Sequence, residues 1–384
     1  MPAKTWTLLD HANNEAVADG WQLNSSQLEL PDAAVQVTQH CAGLSQGVTT
    51  VRLTRGPLQA EIVPTRGMGV WRLACNGVQL GWKSPTRGPV HPSFVPLTEP
   101  GGLGWLDGFD EFLVRCGLES NGAPEFDDQG RLAYPLHGRI AGKPAHHVHV
   151  EVEDDELRLV GEVEETRFHF FKVRMTTVVS LRLGDRTLRI HDTITNLSAS
   201  ATATQMLYHV NFGPPLLDAG ARVVLPAKMV VPRNDHAASA VANWDNYAAP
   251  QPGYEEMVYF FELAGAQDRR TQTLLRNAHG TLGATLHFSL DQLPCFTLWK
   301  NTTALEDGCV TGLEPGTNFP NPRSFEGRHG REKSLGPGES LSYELAIQCH
   351  SNDVEVHNAE QAIRKLQADV VPTVFDTPQS DWCA

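Results

Sequence analysis

The stretch FKVRMTTVVSLRLGDRTLRIHDTITN, residues 171–196, decides the fold class of this chain. Apolar and polar side chains alternate along both of its halves, and Leu183-Gly184-Asp185-Arg186 lies between them. A period of two is typical of an antiparallel strand with one buried face, and a glycine next to an aspartate favours a tight turn. The stretch therefore predicts a β-hairpin.

The same alternation recurs along most of the chain. It is found in VTTVRLTR (48–55), AEIVPT (60–65), HHVHVEVE (146–153), ELRLVGEVEET (156–166) and SLSYELAIQC (340–349). Short turn-forming stretches separate these segments, which is the spacing of hairpins rather than of βαβ units. The pattern predicts an all-β protein, a large antiparallel β-sandwich from about Val48 to Cys349, and it disfavours a parallel nucleotide-binding sheet.

Helical periodicity is confined to the two ends of the chain. It predicts short peripheral helices around Thr7 to Ala18 and around Asn358 to Ala368, where the sequence NAEQAIRKLQA contains good helix formers. We therefore expect an N-terminal extension packed on the core (1–47), one sandwich domain (48–350) and a C-terminal helical tail (351–384).

The bulk composition limits the partners of this chain. Its 384 residues carry a formal net charge of −14, so binding to nucleic acid or to an anionic membrane is not expected. Seven scattered cysteines contain no C-x-x-C pair and predict neither a disulfide framework nor a zinc site. Residues 1–16 have no apolar core of signal-peptide length, and no later stretch is apolar enough to span a bilayer. We expect a cytoplasmic protein.

Two groups of loop residues have a composition suited to ligand binding. The turn Pro64–Gly69 contains Arg66 followed by glycine, which a simple hairpin turn with a solvated arginine explains equally well. The segments 104–109, 115–122 and 134–139 combine Trp105 with planar polar side chains and a histidine. Sugar sites commonly pair an aromatic platform with such hydrogen-bonding groups.

Two strand ends also carry candidate catalytic residues. In Met206–Pro215 the alternation places His209 and Asn211 on one face and Tyr208 and Val210 on the other. In Thr311–Asn318, Glu314 stands between a leucine and a proline, where it has few solvating neighbours and could serve as a general base. An edge salt bridge is the alternative explanation for this glutamate.

A histidine cluster raises the question of a metal site. His147 and His149 share one face of a predicted strand, while His146 points to the other. No carboxylate or cysteine completes a ligand set at suitable spacing, so no metal is expected.

Taken in order, these segments resemble the galactose mutarotase (aldose 1-epimerase) superfamily, and specifically its DUF4432 branch. The resemblance covers about Val48 to Cys349. It rests on the phrases P-x-R-G-M, G-W-x-x-G-F, C-G-L-E-x-x-G-A-P, L-H-G-R-I-x-x-x-P-A, Y-H-x-N-F-G, W-K and L-E-P-x-T, all of which occur in this chain. It implies the galactose mutarotase-like supersandwich fold.

The resemblance also implies roles for three residues. His137, in Leu136-His137-Gly138, would contact the sugar near its ring oxygen, His209 would be the general acid, and Glu314 the general base. Because the reference pKa of glutamate is about 4.3, we expect Glu314 to be ionised and His209 to be held protonated by its surroundings. The reaction, interconversion of sugar anomers by ring opening, needs no cofactor.

Further residues are predicted to bind the substrate. The superfamily's Arg-Asn phrase before the first histidine and its binding aspartate have no plain counterpart in this chain, so other side chains must supply those contacts. Trp299 or Trp105 is expected to stack on the sugar ring, and the polar candidates are Arg66, Asn121, Arg139, Asn211, Asp235 and Lys300.

Two other functions remain open at this stage. One is a non-catalytic carbohydrate-binding sandwich; the other is a cupin-like metal isomerase that uses the histidine-rich strand. The expected partner is a monosaccharide or sugar derivative, neutral or carrying an acidic, phosphate or sulfonate group. A homodimer is left open.

Overall fold

The computed structural model describes residues 4–384 of the chain. Their architecture is dominated by β-strands. The strands are β1 (Lys4–Asp10), β2 (Glu15–Ala16), β3 (Gln22–Leu23), β4 (Ala33–Gln39), β5 (Thr49–Arg55), β6 (Leu58–Val63), β7 (Gly69–Cys75), β8 (Val78–Gln79), β9 (Leu113–Leu118), β10 (Glu125–Phe126), β11 (Leu132–Tyr134), β12 (Ala145–Glu153), β13 (Glu156–Thr166), β14 (Lys172–Arg182), β15 (Thr187–Asn196), β16 (Thr202–Phe212), β17 (Arg222–Val224), β18 (Ala227–Pro232), β19 (Met257–Leu263), β20 (Arg270–Arg276), β21 (Gly283–Ser289), β22 (Cys295–Asn301), β23 (Val310–Gly316), β24 (Lys333–Leu335), β25 (Ser340–His350) and β26 (Thr373–Val374).

Two large sheets contain nearly all of these strands. One has ten strands in the order β17-β20-β21-β25-β15-β14-β13-β12-β1-β2. The other has fourteen, in the order β26-β18-β19-β22-β23-β16-β9-β7-β6-β5-β4-β3, with β24 paired to β16 and β8 to β7. Within residues 4–384, every ladder between named strands is antiparallel except that of β18 with β26. The prediction of an all-β antiparallel sandwich is confirmed, and residues 171–196 contain the predicted hairpin.

Helices are short and few. They are α1 (Ser25–Leu28), α2 (Asp235–Ala238), α3 (Arg323–Arg328) and α4 (Asp353–Gln367), with single 3-10 turns at 43–45, 92–94, 104–108, 140–142, 241–243 and 305–307. The predicted C-terminal helix is confirmed as part of α4, which begins earlier than expected because Asn352 caps it. No helix of residues 4–384 is long and apolar enough to cross a membrane.

The predicted N-terminal helix is wrong. Residues 4–10 form β1, which pairs with β12 and places Trp6 opposite Val150. The open edge of β12 offers backbone hydrogen bonds along the whole segment, and this tertiary pairing outweighs a weak local preference for helix. Strand β4 likewise pairs with β5 in the fourteen-stranded sheet. The division of the chain after residues 47 and 350 stays a prediction.

The main core lies between the two sheets. Alternate residues of β14, including Val173, Met175 and Val179, are buried there against residues of the other sheet such as Leu53 and Ile62. Each fully buried aliphatic side chain of this kind contributes roughly 1.5–3 kcal/mol to folding. The period-two pattern of the sequence therefore corresponds directly to the buried face of each sheet.

A buried ion pair connects the sheets near their centre. Arg115 on β9 donates to both carboxylate oxygens of Asp192 on β15, at 2.5 and 2.9 Å, and both side chains are almost fully buried. The guanidinium also donates to the Met68 carbonyl and to the Thr177 hydroxyl, each at 2.7 Å. The Tyr208 hydroxyl donates to Asp192 at 2.8 Å. The hydrogen bonds of this buried pair can therefore form only in one relative position of the two sheets.

A second buried carboxylate supports the loop that carries His137. Glu165 accepts a hydrogen bond from the Leu118 backbone N–H at 2.8 Å. The adjacent residue, Gly117, forms an isolated bridge with Gly138 and donates to the His137 carbonyl at 3.1 Å. Burial raises the pKa of Glu165 to about 7.

We expect Glu165→Gln to change how stability depends on pH. Because the pKa of Glu165 is higher in the folded protein than in the unfolded chain, wild type loses stability as pH rises through about 7. The variant has no carboxyl group to ionise at this position. The difference in free energy of unfolding, variant minus wild type, should therefore rise by roughly 3 kcal/mol from pH 5 to pH 9. Urea denaturation at both pH values measures this difference. The control is Glu164→Gln on the outer face, and identical pH profiles for Glu165→Gln and wild type would contradict the expectation.

Candidate active site

Strand β16 delivers the central histidine to the outer face of the fourteen-stranded sheet. Tyr208 and Val210 point into the core between the sheets, whereas His209 lines a pocket on the opposite face, as the alternation predicts. Since β16 lies between β9 and β23, its outward side chains are flanked by neighbouring strands and are themselves buried.

The register of β16 with β23 brings the two predicted catalytic residues together. Leu207 pairs with Gly316 and Val210 with Leu313, so His209 and Glu314 stand opposite each other. The His209 Nε2 and Glu314 Oε1 atoms are 3.2 Å apart. Gly312, on the same face, makes room for this pair, because a Cβ there would lie 2.4 Å from Glu314 Oε1.

Asn211 orients the His209 ring. The Asn211 side-chain amide N–H group donates to the backbone carbonyls of Glu111 and His209, at 3.0 and 3.2 Å. Its Oδ1 is therefore the acceptor for His209 Nδ1–H at 2.6 Å. The other ring nitrogen, Nε2, faces Glu314, whose Oε1 is buried and has no well-aligned hydrogen-bond partner among the described residues.

Burial opposes charge on both members of this pair. It lowers the pKa of His209 well below its usual value, and His137 lowers it further. Burial raises the pKa of Glu314 well above its usual value, and the carboxylate of Glu256 adds to the effect. The expectation that the protein holds Glu314 ionised and His209 protonated is therefore wrong: the surroundings favour a protonated Glu314 and a neutral imidazole.

His137 lies beside the pair with a fixed tautomer. Its backbone adopts a left-handed φ of 56°, and its Nδ1–H donates to the Asn121 carbonyl at 3.0 Å. Burial lowers the pKa of His137 to about 4, so the ring is neutral and its Nε2 is an acceptor. A neutral acceptor cannot donate a hydrogen bond to a ring oxygen, but it can accept one from a hydroxyl group.

These residues lie at the base of a pocket of about 400 Å³. Aromatic rings surround His209: the ring centroids of Phe109 and Trp299 lie 5.3 and 5.4 Å from its own. Trp105 contacts His137 edge-on at 4.6 Å. The complete lining consists of Leu103, Trp105, Leu106, Phe109, Ala123, Pro124, Leu136, His137, His209, Arg233, Glu256, Val258, Thr297, Trp299, Glu314 and Pro320.

One side of the pocket carries an ion pair that sequence reasoning missed. Arg233 Nη2 and Glu256 Oε1 are 3.2 Å apart, and the Trp299 indole N–H donates to Glu256 Oε2 at 2.7 Å. Arg233 follows β18 and stands two residues before Asp235, at the place where the resemblance directed attention to a carboxylate. Glu256 precedes β19, and a charged residue before a strand gives no signal in a single sequence.

Three predicted cationic binding residues, Arg66, Arg139 and Lys300, do not line the pocket. Arg66 pairs with Glu111 at 2.6 Å, and Arg139 pairs with Glu119 at 2.9 Å. Lys300 alternates with Trp299 along β22 and therefore points to the other face. Buried cationic side chains require oxygen acceptors. The buried Arg66 and Lys300 and the half-buried Arg139 all find theirs within the protein.

Arg66 supports a loop of the pocket, whereas Lys300 holds a loop that does not line it. Arg66 donates to the carbonyls of Val90 and Gly108, each at 3.0 Å, in the segment that contains Trp105. Lys300 donates to three backbone carbonyls at 2.7–3.3 Å, those of residues 243, 244 and 246. Burial lowers the pKa of Lys300 to about 8.

The remaining predicted binding residues also lie outside the pocket lining. Asn121 and Asn318 exchange reciprocal amide hydrogen bonds at 2.9 Å, and the Asn121 carbonyl positions His137. Asn211 positions His209. Asp235 is exposed in the first turn of α2. Of the ten predicted site residues, the pocket thus brings together His137, His209, Trp299 and Glu314.

The histidine-rich strand does not form a metal-binding cluster. His146 Nε2 lies 3.2 Å from Glu162, and the rings of His147 and His149 are 5.2 Å apart. No group of three or more potential ligands occurs anywhere in residues 4–384.

The large antiparallel sandwich, with a buried histidine–carboxylate pair in an aromatic pocket on its outer face, has the galactose mutarotase-like fold. The model of the domain of unknown function DUF4432 matches residues 45–349. The chain belongs to the DUF4432 family.

Two solved structures resemble this chain, the second of them in fold alone. A candidate aldose 1-epimerase from Klebsiella pneumoniae subsp. pneumoniae MGH 78578 is 35% identical, with 98% of this chain and 99% of that chain covered and a TM-score of 0.94. A galactose mutarotase-like protein from Clostridium acetobutylicum is 16% identical, with coverage of 83% and 99% and a TM-score of 0.58.

More distant structures share the fold alone. A galactose 1-epimerase from Lactobacillus acidophilus NCFM is 10% identical, with coverage of 83% and 99% and a TM-score of 0.55. Among curated proteins, no sequence matches this chain.

We expect His137 to remain neutral in the folded protein down to about pH 4. The unfolded chain would take up this proton near pH 6.5, so burial of the ring costs stability as pH falls from about 6.5 towards 4. A ¹H–¹⁵N NMR titration of the imidazole follows the charge directly, and a His137→Gln spectrum identifies the resonance. A midpoint near 6.5 would contradict the enclosed, neutral ring.

Proposed function

We propose that this protein is a cofactor-independent isomerase that interconverts the anomers of an aldose by opening and closing the sugar ring. The observation that carries the proposal is the opposed pair His209 and Glu314, buried 3.2 Å apart at the base of the pocket. The anomeric hydroxyl and the ring oxygen of an aldose share one carbon, so two neighbouring groups can contact both atoms at once.

The proposed reaction moves two protons. Glu314 accepts the proton of the anomeric hydroxyl while His209 donates one to the ring oxygen, and the bond between C1 and the ring oxygen breaks to give the open-chain aldehyde. After rotation about the C1–C2 bond, Glu314 gives its proton back to the anomeric oxygen, His209 takes one back from the C5 hydroxyl, and the ring closes on the other face. A positioned general acid or base accelerates such a reaction on the order of 10²–10⁴-fold.

Substrate binding must change the protonation of this pair. In the free protein, burial favours a protonated Glu314 and a neutral His209. A sugar hydroxyl that donates to Glu314 stabilises the carboxylate, and the proton then moves to His209, whose Nδ1–H remains bonded to Asn211. His137 Nε2 accepts a hydrogen bond from a neighbouring hydroxyl, and Trp299 provides the ring-stacking surface.

The substrate of the proposed reaction is a neutral sugar. Arg233 is the one cationic side chain in the lining that the described residues form, and Glu256 already pairs with it. An acidic, phosphate or sulfonate group would find no unpaired cation there, whereas the Arg–Glu pair offers both donors and acceptors to sugar hydroxyls.

We also propose that the protein works in the cytoplasm. All seven cysteines are free thiols, five of them buried, as expected in a reducing compartment.

The mechanism predicts the effect of two nearly isosteric substitutions. Glu314→Gln keeps the shape of the side chain but removes its basicity, and His209→Asn removes the acid. Each should lower the rate of anomer exchange at least about 100-fold while sugar affinity survives. NMR exchange spectroscopy or polarimetry measures the rate against the buffer background, with the exposed Glu255→Gln as control. Full activity of Glu314→Gln would refute the mechanism, and a wild type that binds sugars without accelerating exchange would favour the carbohydrate-binding alternative.

A substitution next to the pair tests the distance between His209 and Glu314 without changing either residue. In Gly312→Ala, the new Cβ would lie 2.4 Å from Glu314 Oε1 and 3.1 Å from His209 Cε1, so the two groups must separate. We expect a loss of exchange activity of about 10-fold or more with the fold retained. In the control Gly81→Ala, the nearest atom is Phe112 Cβ at an ordinary 3.4 Å. Equal activity of both variants would show that the pair tolerates displacement.

A further inference from the structure

The pocket has two chemically different walls. The polar wall consists of Arg233, Glu256 and Thr297, near the indole of Trp299. A second set of lining residues has purely aliphatic side chains and forms what we call the apolar wall: Leu103, Leu106, Pro124, Leu136 and Pro320. The buried pair of His209 and Glu314 lines the same pocket.

The apolar wall offers hardly any hydrogen bonds to a ligand. None of its side chains contains a donor or an acceptor, and its two prolines have no backbone N–H. The N–H of Leu103 donates to the Glu99 carboxylate, that of Leu106 to the Leu103 carbonyl, and that of Leu136 to the Gly102 carbonyl. A hydroxyl group placed against this wall would lose its water and gain no side-chain partner.

The wall is also held in place by close packing. A Cβ on Gly104 would lie 2.0 Å from the Pro96 carbonyl oxygen, and one on Gly102 would lie 2.8 Å from both Pro124 and Leu132. Leu103 and Leu106 nevertheless remain 49% and 46% exposed. Apolar side chains held exposed by a rigid loop, facing a pocket, are typical of a surface that contacts a ligand.

We propose, on the basis of the function proposed above, that the substrate is a 6-deoxyhexose whose C5 methyl group contacts the apolar wall. With the ring oxygen at His209, the C5 substituent is the exocyclic group next to the reacting bond. Leu136 immediately precedes His137, so the wall begins beside the catalytic groups. The remaining hydroxyls face Arg233 and Glu256.

The test compares pairs of sugars that differ by one hydroxyl. The dissociation constants of L-fucose and L-galactose, L-rhamnose and L-mannose, D-fucose and D-galactose, and 6-deoxy-D-glucose and D-glucose are measured by calorimetry on the full-length protein. The 6-deoxy member of at least one pair should bind about tenfold more tightly than its parent. If no 6-deoxy sugar binds more tightly than its parent hexose, the inference is overturned.

Substitutions in the wall locate the preference. Leu106→Asn introduces an amide of similar size that can hydrogen-bond a 6-hydroxyl, so the tenfold preference should fall to about one- or twofold. Leu305→Asn, at a leucine that is 53% exposed and outside the pocket, should leave the preference unchanged. If Leu106→Asn keeps the tenfold preference, contact with the apolar wall is not the cause of the preference for 6-deoxy sugars.

The outcomes separate this inference from the proposed function. A protein that prefers 6-deoxy sugars in binding but accelerates no anomer exchange would retain the inference and refute the isomerase. A protein that accelerates exchange of parent and 6-deoxy sugars equally, with equal affinities, would retain the isomerase and refute the inference.

Discussion

The buried ion pair between Arg115 and Asp192 fixes how the two sheets of this protein face each other. Burying two charges is costly, and the arrangement is stable only when both are paired and hydrogen-bonded. Here the carboxylate also accepts from Tyr208, on the strand whose opposite face carries His209. Because successive side chains of a strand point to opposite faces, anchoring Tyr208 in the core also fixes the height and direction of His209 at the site.

The same burial determines the chemistry of the site. His209 and Glu314 lie on central strands, where neighbouring strands exclude water from both sides, and each is less than 5% exposed. In such surroundings a neutral carboxyl group and a neutral imidazole are favoured over two separate charges. The site is therefore not a fixed ion pair. Gly312 allows the two side chains to lie 3.2 Å apart.

Several polar residues that belong to family motifs position the site instead of lining it. Arg66 holds the loop of Trp105, Asn121 orients His137, and Asn211 orients His209. Their side chains form hydrogen bonds within the protein, and these bonds hold the pocket residues in place. Few groups are left to contact a ligand. They are the aromatic rings, the histidines and Glu314, the ion pair of Arg233 and Glu256, and a set of aliphatic side chains.

The sequence by itself determined the sandwich, and its resemblance to a known family pointed to His137, His209, Glu314 and Trp299, which line one pocket. Period-two alternation is a local property of the sequence, and each motif phrase is a short contiguous segment, so both can be recognised without knowing the tertiary structure. It did not determine the edge strand β1, whose pairing partner lies more than 130 residues away.

Only the tertiary structure decided which polar residues line the pocket. Whether Arg66 or Lys300 contacts a ligand or a backbone carbonyl depends on distant loops that no local pattern describes. Arg233, Glu256 and the apolar wall come from separate segments that meet only when the sheets are assembled. The protonation of the central pair likewise follows from its burial, and burial is a property of the folded chain rather than of residue type.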